Sequence, residues 1–60
     1  MKYQVTVLDV LNNVTYIVSV NSKNDVDAKY DAIDKIASRK QMAIDMKKCL
    51  VPTVINEVID

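Results

Sequence analysis

The sequence of 60 residues contains no histidine, no glycine, no tryptophan and no phenylalanine. Without histidine, Ser-His and Cys-His catalytic pairs cannot form, and without glycine there is no glycine-rich phosphate loop or dinucleotide-binding turn. Cys49 is the single cysteine, so an intrachain disulfide is excluded and a Cys/His zinc site lacks ligands. We therefore expect a protein that is not an enzyme and that holds no cofactor and no metal.

The chain also has no net charge, because its eight basic residues balance its eight acidic residues. No global field therefore steers the protein towards nucleic acid or an anionic membrane. The chain has no apolar run of about 18 residues, the length of a membrane span, and its first residues lack the order of a signal peptide. We expect a single cytoplasmic domain over residues 1–60 that does not bind membranes.

The first third of the chain alternates between apolar and polar residues with the period of β-strands over residues 1–10 and 14–20. Asn12–Asn13 stands between the two runs, and asparagine accepts the positive φ angles of a two-residue type I′ turn. This turn predicts a β-hairpin in which Val7 lies opposite Val18. The predicted apolar face of the hairpin contains Tyr3, Val5, Val7, Leu11, Val14, Tyr16, Val18 and Val20.

An amphipathic helix is predicted from Ser22 to Arg39, a segment without glycine or proline. Its apolar stripe, expected to pack on the apolar face of the hairpin, contains Val26, Tyr30, Ile33 and Ala37, with Ile36 beside them. Ser22 followed by Asp25 resembles a capping box, and Asn24 is a second candidate N-cap.

The apolar residues after Ser38 no longer share the phase of this stripe. They are Met42, Ala43, Met46, Cys49 and Leu50. Either the helix breaks near Ser38–Gln41, or it continues through Lys40–Leu50 with a second apolar side that a second chain would cover. Good helix formers in this segment make continuation a credible alternative.

Pro52, near the start of the last segment, ends any preceding helix because proline lacks the backbone N–H. Val51–Ile59 is rich in β-branched residues, which favour an edge strand, although its apolar spacing also fits a short helix. The sequence therefore predicts an α+β fold. It consists of an N-terminal β-hairpin packed by one amphipathic helix, a helical extension, and a C-terminal strand or short helix.

The acidic and thiol side chains give only weak signals of a metal site or a catalytic nucleophile. Asp27, Asp31 and Asp34 follow the i, i+4, i+7 spacing and could hold Mg²⁺ or Ca²⁺, but acids at a helix start also suit its dipole and are usually solvated. Cys49 has no base near it in sequence and is expected to be a small buried hydrophobe. Asp9 shares the otherwise apolar face of the hairpin, so it is either buried and functional or, as we expect, hydrated at the edge of the sheet.

Self-association is the remaining way to stabilise so short a chain. A domain of this length buries only about 60% of the surface that its unfolded form exposes, and disulfides and zinc are excluded here. We therefore expect a homodimer. Leu8 and Ile17, with Val10, form an apolar spot on the outer face of the hairpin, which is either an interface or, as slightly favoured, the ordinary apolar share of a surface. Met42 and Met46 with Leu50 offer either an adaptable binding surface or plain core packing. The predicted protein interface consists of Leu8, Ile17, Met42, Met46 and Leu50.

In general plan the first 39 residues, a β-hairpin leading into a capped helix, resemble many small proteins encoded by bacteriophages and plasmids. That resemblance implies a regulator or inhibitor that binds another protein. Our leading hypothesis is therefore a homodimeric, non-enzymatic protein-binding module. The alternative is a small nucleic-acid-binding regulator that contacts phosphates through Lys35, Arg39, Lys40, Lys47 and Lys48.

Overall fold

The structure is a computed structural model that describes residues 1–42 and 44–59, without the side chains of Ile44 and Met46. The elements in chain order are β1 (Lys2–Asp9), β2 (Val14–Asn21), α1 (Asp25–Lys40), a 3₁₀ helix (Ile44–Cys49) and β3 (Leu50–Val58). The predicted α+β fold is confirmed, and the last segment is a strand. The helical extension is the short 3₁₀ helix.

The three strands form an antiparallel sheet in the order β2-β1-β3, so β2 and β3 are the edge strands. The helix α1 connects these two edge strands and packs on one face of the sheet. The buried core between helix and sheet contains Tyr3, Val5, Val7, Val18, Val20, Ala28, Ala32, Ile36, Ala37 and Leu50. Within the described residues, the opposite face of the sheet has no covering element.

The hairpin has its apolar face as predicted but a different register. Val5 pairs with Val18, whereas a two-residue turn would have paired Val7 with Val18. Because side chains alternate with a period of two, this shift by two residues keeps every strand residue on its predicted face. The connection is a loop over residues 10–13, and Leu11 lies in it with its side chain exposed.

Asp9 determines this longer loop. Its side chain is 1% exposed, so the prediction of a hydrated edge position was wrong. The backbone N–H groups of Leu11 and Asn12 each donate to Oδ1 at 3.1 Å, and Asn12 Nδ2 donates to Oδ2 at 3.0 Å. The hydrogen bonds from Asn12, together with that from Leu11, hold the pKa of the Asp9 carboxyl below its ordinary value, although burial opposes them.

The helix begins after Asn24, whose Oδ1 accepts from the backbone N–H of Asp27 at 2.8 Å. The second candidate N-cap is thus confirmed, and the Ser22 capping box was wrong because Ser22 Oγ donates instead to Asp31 Oδ2. At the other end Gln41 adopts a left-handed conformation with φ 52°, which stops the helix at Lys40. Of the two alternatives left by the sequence, the break is therefore observed, and the continuous helix was wrong.

The helix buries part of the predicted stripe and not the rest. Ile36 and Ala37 are buried and Ile33 packs partly buried against the core, as predicted. Its buried residues are Ala28, Ala32, Ile36 and Ala37. Val26 is 51% exposed and Tyr30 is 64% exposed, although both belonged to the predicted stripe. Alanines carry small side chains, so a helix face built on them can lie close against the valines of β1 and β2. The buried face is therefore rotated relative to the predicted stripe, and this leaves Val26 and Tyr30 on the flank of the helix.

Candidate functional site

The uncovered face of the sheet carries a cluster of apolar side chains. Thr6 on the central strand pairs with Ile17 on β2 and with Val54 on β3, and Leu8 pairs with Val51. Directly paired residues in neighbouring strands lie on the same face of a sheet. Leu8, Ile17, Val51 and Val54 therefore form one group, which we call the open-face cluster.

A β-bulge in β3 brings two members of this cluster together. Val51 and Val54 are three positions apart and would point to opposite faces of a regular strand. The register shifts where Val7 pairs with Pro52 but Thr6 pairs with Val54, which leaves Thr53 as the extra residue. Thr53 Oγ1 donates to the carbonyl of Thr6 at 3.2 Å. The bulge thereby returns Val54 to the face of Val51.

The open-face cluster is accessible and uncharged. Ile17 is 63% exposed and Val54 is 47% exposed, while Leu8 on the central strand is half-buried by its neighbours. Among the described strand residues that pair into this face, only Lys2 at its far end carries a charge. The cluster can therefore pack against another apolar surface without burying an ion.

The predicted interface residues divide between this face and other positions. Leu8 and Ile17 belong to the open-face cluster. Leu50 is buried in the core of the single chain, and Met42 is half-buried against that core, so neither lies with them. The side chain of Met46 lies outside the described residues. Leu50 is buried because it opens β3 on the helix side, opposite Asp9.

Sequence reasoning missed Val51 and Val54. The sequence signal for these residues is the β-branched composition of the last segment, which fits both a strand and a short helix. Even a firm strand prediction would have placed only one of the two valines on the open face, because the bulge at Thr53 has no sequence signature of its own.

The predicted basic residues lie in different surroundings. Lys35 Nζ donates to the backbone carbonyl of Ser19 at 2.7 Å, and Lys40 Nζ lies 5.7 Å from the centre of the Tyr16 ring. These contacts place both lysines against β2, where Arg39 lies as well. Lys47 and Lys48 are on the 3₁₀ helix, and Lys47 forms an ion pair with Asp34. Only three of the five basic residues thus share the flank of β2.

Two of the three members of the acidic row on α1, Asp31 and Asp34, have structural partners. Asp31 accepts a hydrogen bond from Ser22, and Asp34 pairs with Lys47 at 2.9 Å. No group of three acidic, cysteine or histidine side chains within the described ranges lies close enough to hold a metal ion. Over the same part of the chain, the structure contains no helix with the length and apolarity to traverse a bilayer.

Comparison with known proteins yields no match to any protein-family model, curated protein or solved structure. Function is therefore inferred from two surfaces of this chain, the open-face cluster and the exposed edge of β2.

Proposed function

We propose that the protein is a non-enzymatic protein-binding module that forms a homodimer through the open-face cluster and acts as a small regulator or inhibitor of another protein. The observation that carries this proposal is the convergence of Leu8, Ile17, Val51 and Val54 on a sheet face without cover from the described residues. Exposed apolar clusters of this kind mark interaction sites in soluble proteins.

A second copy of the chain is the occupant that this face favours. In a two-fold dimer each subunit contributes the same patch, so any charge in it must find an opposite charge at a symmetry-related position. The open-face cluster avoids this requirement because its four members are uncharged. Two such sheets can pack face to face at about 10 Å, with the side chains of one between those of the other.

The small core of the single chain also supports self-association. Among the described residues, three of the ten buried hydrophobic side chains are alanines and four are valines. Burial of the open-face cluster against a second copy would add an apolar layer on the other side of the sheet. Each fully buried valine, leucine or isoleucine side chain contributes about 1.5–3 kcal/mol.

The alternative, a small nucleic-acid-binding regulator, is supported by Lys35, Arg39 and Lys40 along one flank. Two observations weigh against it. Lys47 is engaged with Asp34, and the net charge of the chain is zero. Nucleic-acid binding by a few phosphate contacts would weaken steeply with salt, whereas an apolar interface between subunits would not.

Sedimentation equilibrium at micromolar protein, in about 0.1 M and about 1 M salt, tests the proposal. We expect twice the 6.8 kDa mass of one chain at both salt concentrations. In parallel, fluorescence anisotropy with labelled single-stranded and duplex DNA should show no binding at the lower salt. A chain that stays monomeric under both conditions contradicts the homodimer, and salt-sensitive binding to DNA would favour the alternative.

A further inference from the structure

The outer edge of β2 presents backbone groups from every second residue. Met1 and Ser22 exchange two hydrogen bonds, at 2.8 and 3.0 Å, and so form a hydrogen-bonded pair of the antiparallel ladder. Such pairs alternate with non-bonded ones, so the even-numbered residues of β2 bond to β1 and the odd-numbered ones face outwards. The outward N–H and C=O groups belong to Thr15, Ile17, Ser19 and Asn21.

The other edge of the sheet is less suited to pairing. In β3, Pro52 has no N–H to offer, and the bulge at Thr53 interrupts the ladder. Proline and bulges are devices that protect edge strands from unwanted partners. β2 contains neither of them. A further strand would therefore add to β2.

Two depressions follow β2 along its border with α1. One, of about 310 Å³, is lined by Tyr16, Ile17, Val18, Ile36, Arg39 and Lys40. The other, of about 400 Å³, is lined by Lys2, Ser19, Val20, Asn21, Asp31 and Lys35. Together they extend from Tyr16 to Asn21. They provide space beside the strand for the side chains of an added segment.

The charge of these depressions is positive. Lys35, Arg39 and Lys40 line them from α1 together with a single acid, Asp31, and Lys2 lines one of them from the open face of the sheet. Lys35 Nζ donates a hydrogen bond to the outward carbonyl of Ser19. This carbonyl is one of the acceptors that an added strand would use. A carboxylate on the added strand can form an ion pair with Lys35 in place of the Ser19 carbonyl. The carbonyl can then accept a backbone hydrogen bond from the added strand.

From these features we infer that the edge of β2 binds an extended segment of a partner protein as a fourth strand. Side chains on an added strand alternate between faces. On the α1 side the segment carries acidic residues, which meet Lys35, Arg39 and Lys40. On the other side it carries small apolar residues, which extend the open face beyond Ile17. This inference rests on the proposed protein-binding function and assigns the partner to the edge of β2, which adjoins the homodimer interface at Ile17.

The test uses the full ¹⁵N-labelled chain and a terminally blocked peptide of sequence Thr-Glu-Val-Glu-Val-Glu-Thr. We expect a Kd of about 1 mM or tighter, with the largest amide shift changes at Ile17 and Ser19. Arg39→Ala and Lys40→Ala should each weaken binding about two- to fivefold, because each removes one exposed charge contact. Lys48→Ala, which removes a lysine outside the depressions, should leave the Kd unchanged.

Two control peptides separate strand addition from nonspecific charge attraction. A peptide with lysine in place of glutamate should not bind, because it places cations against cations. The glutamate peptide with N-methyl groups on the amides that face β2 should also lose binding, because it cannot donate to the outward carbonyls. Equal binding by the methylated peptide, or no shift change at Thr15–Asn21 with the unmodified peptide up to about 1 mM, would overturn the inference.

Sedimentation of the same samples distinguishes failure of this inference from failure of the proposed function. If the glutamate peptide does not bind while the chain still dimerises, only the edge assignment is wrong. If the peptide binds to a chain that remains monomeric, the edge assignment holds and the homodimer is wrong. Dissociation of the dimer on addition of the peptide would contradict simultaneous use of the two surfaces, because it would show that the peptide and the second copy compete for β2 or for Ile17.

Discussion

The carboxylate of Asp9 accepts hydrogen bonds from both the backbone N–H and the side-chain amide of Asn12. These bonds hold the loop over residues 10–13, in which Asn13 has a left-handed conformation with φ 55°. The loop, in turn, fixes the register that pairs Thr6 with Ile17. One buried acid at the end of the central strand therefore determines which side chains meet on the open face.

The Asp9 pKa predicts how stability changes at acidic pH. Since the folded state lowers this pKa, its contribution to stability is complete above the unfolded value of about 3.9 and is lost as pH falls through the folded value. Asp9→Asn removes this titration. We expect the variant to melt below the parent near pH 6 and the difference in Tm to shrink below about pH 4. Thermal unfolding by circular dichroism measures it, and a difference independent of pH would contradict the assignment.

The buried face of α1 can be tested by a matched pair of truncations. Ile36→Ala should lower the free energy of unfolding by about 2–5 kcal/mol, because Ile36 is buried in the core. Val26→Ala should change it by no more than about 0.5 kcal/mol, because Val26 is half exposed on the flank. Urea unfolding at one fixed protein concentration measures both. If both variants lost the same free energy of unfolding, Val26 would be buried as the predicted helix stripe requires, and the observed helix face would be wrong.

The left-handed residue at the end of α1 gives a third prediction. At a φ of 52° the Gln41 side chain crowds its own backbone, and glycine removes that strain. Gln41→Gly should therefore raise the free energy of unfolding by up to about 1 kcal/mol. Lys40→Gly, one residue earlier and still helical, should lower it by about 1 kcal/mol. If both variants were destabilised in urea, the helix would not end at Lys40.

The sequence predicts those parts of the fold that depend on alternation alone. The apolar face of the hairpin follows from a period of two, which a register shift of two residues preserves. The register itself was mispredicted because Asn12–Asn13 matches a tight turn, whereas the reach of the Asp9 side chain to Asn12 depends on three-dimensional geometry.

The helix face and the candidate site were harder to predict for related reasons. Val26 and Tyr30 are larger and more apolar than Ala28 and Ala32, so their spacing dominated the predicted stripe. Close packing of helix and sheet favoured the alanines instead. Leu8 and Ile17 were predicted together as an outer apolar spot. Their neighbours on β3 could not be, because long-range pairing with β1 decides where those side chains point.

Two valine-to-lysine substitutions test the central claim, dimerisation through the open-face cluster, most directly. Val54→Lys places a charge in the cluster, and Val26→Lys makes the same change at a similarly exposed valine on α1. By sedimentation equilibrium at micromolar protein, we expect Val54→Lys to weaken self-association at least about tenfold, the effect of about 1.4 kcal/mol, and Val26→Lys to leave it unchanged. A Val54→Lys chain that dimerises like the parent, or a Val26→Lys chain that does not dimerise, would contradict the claim.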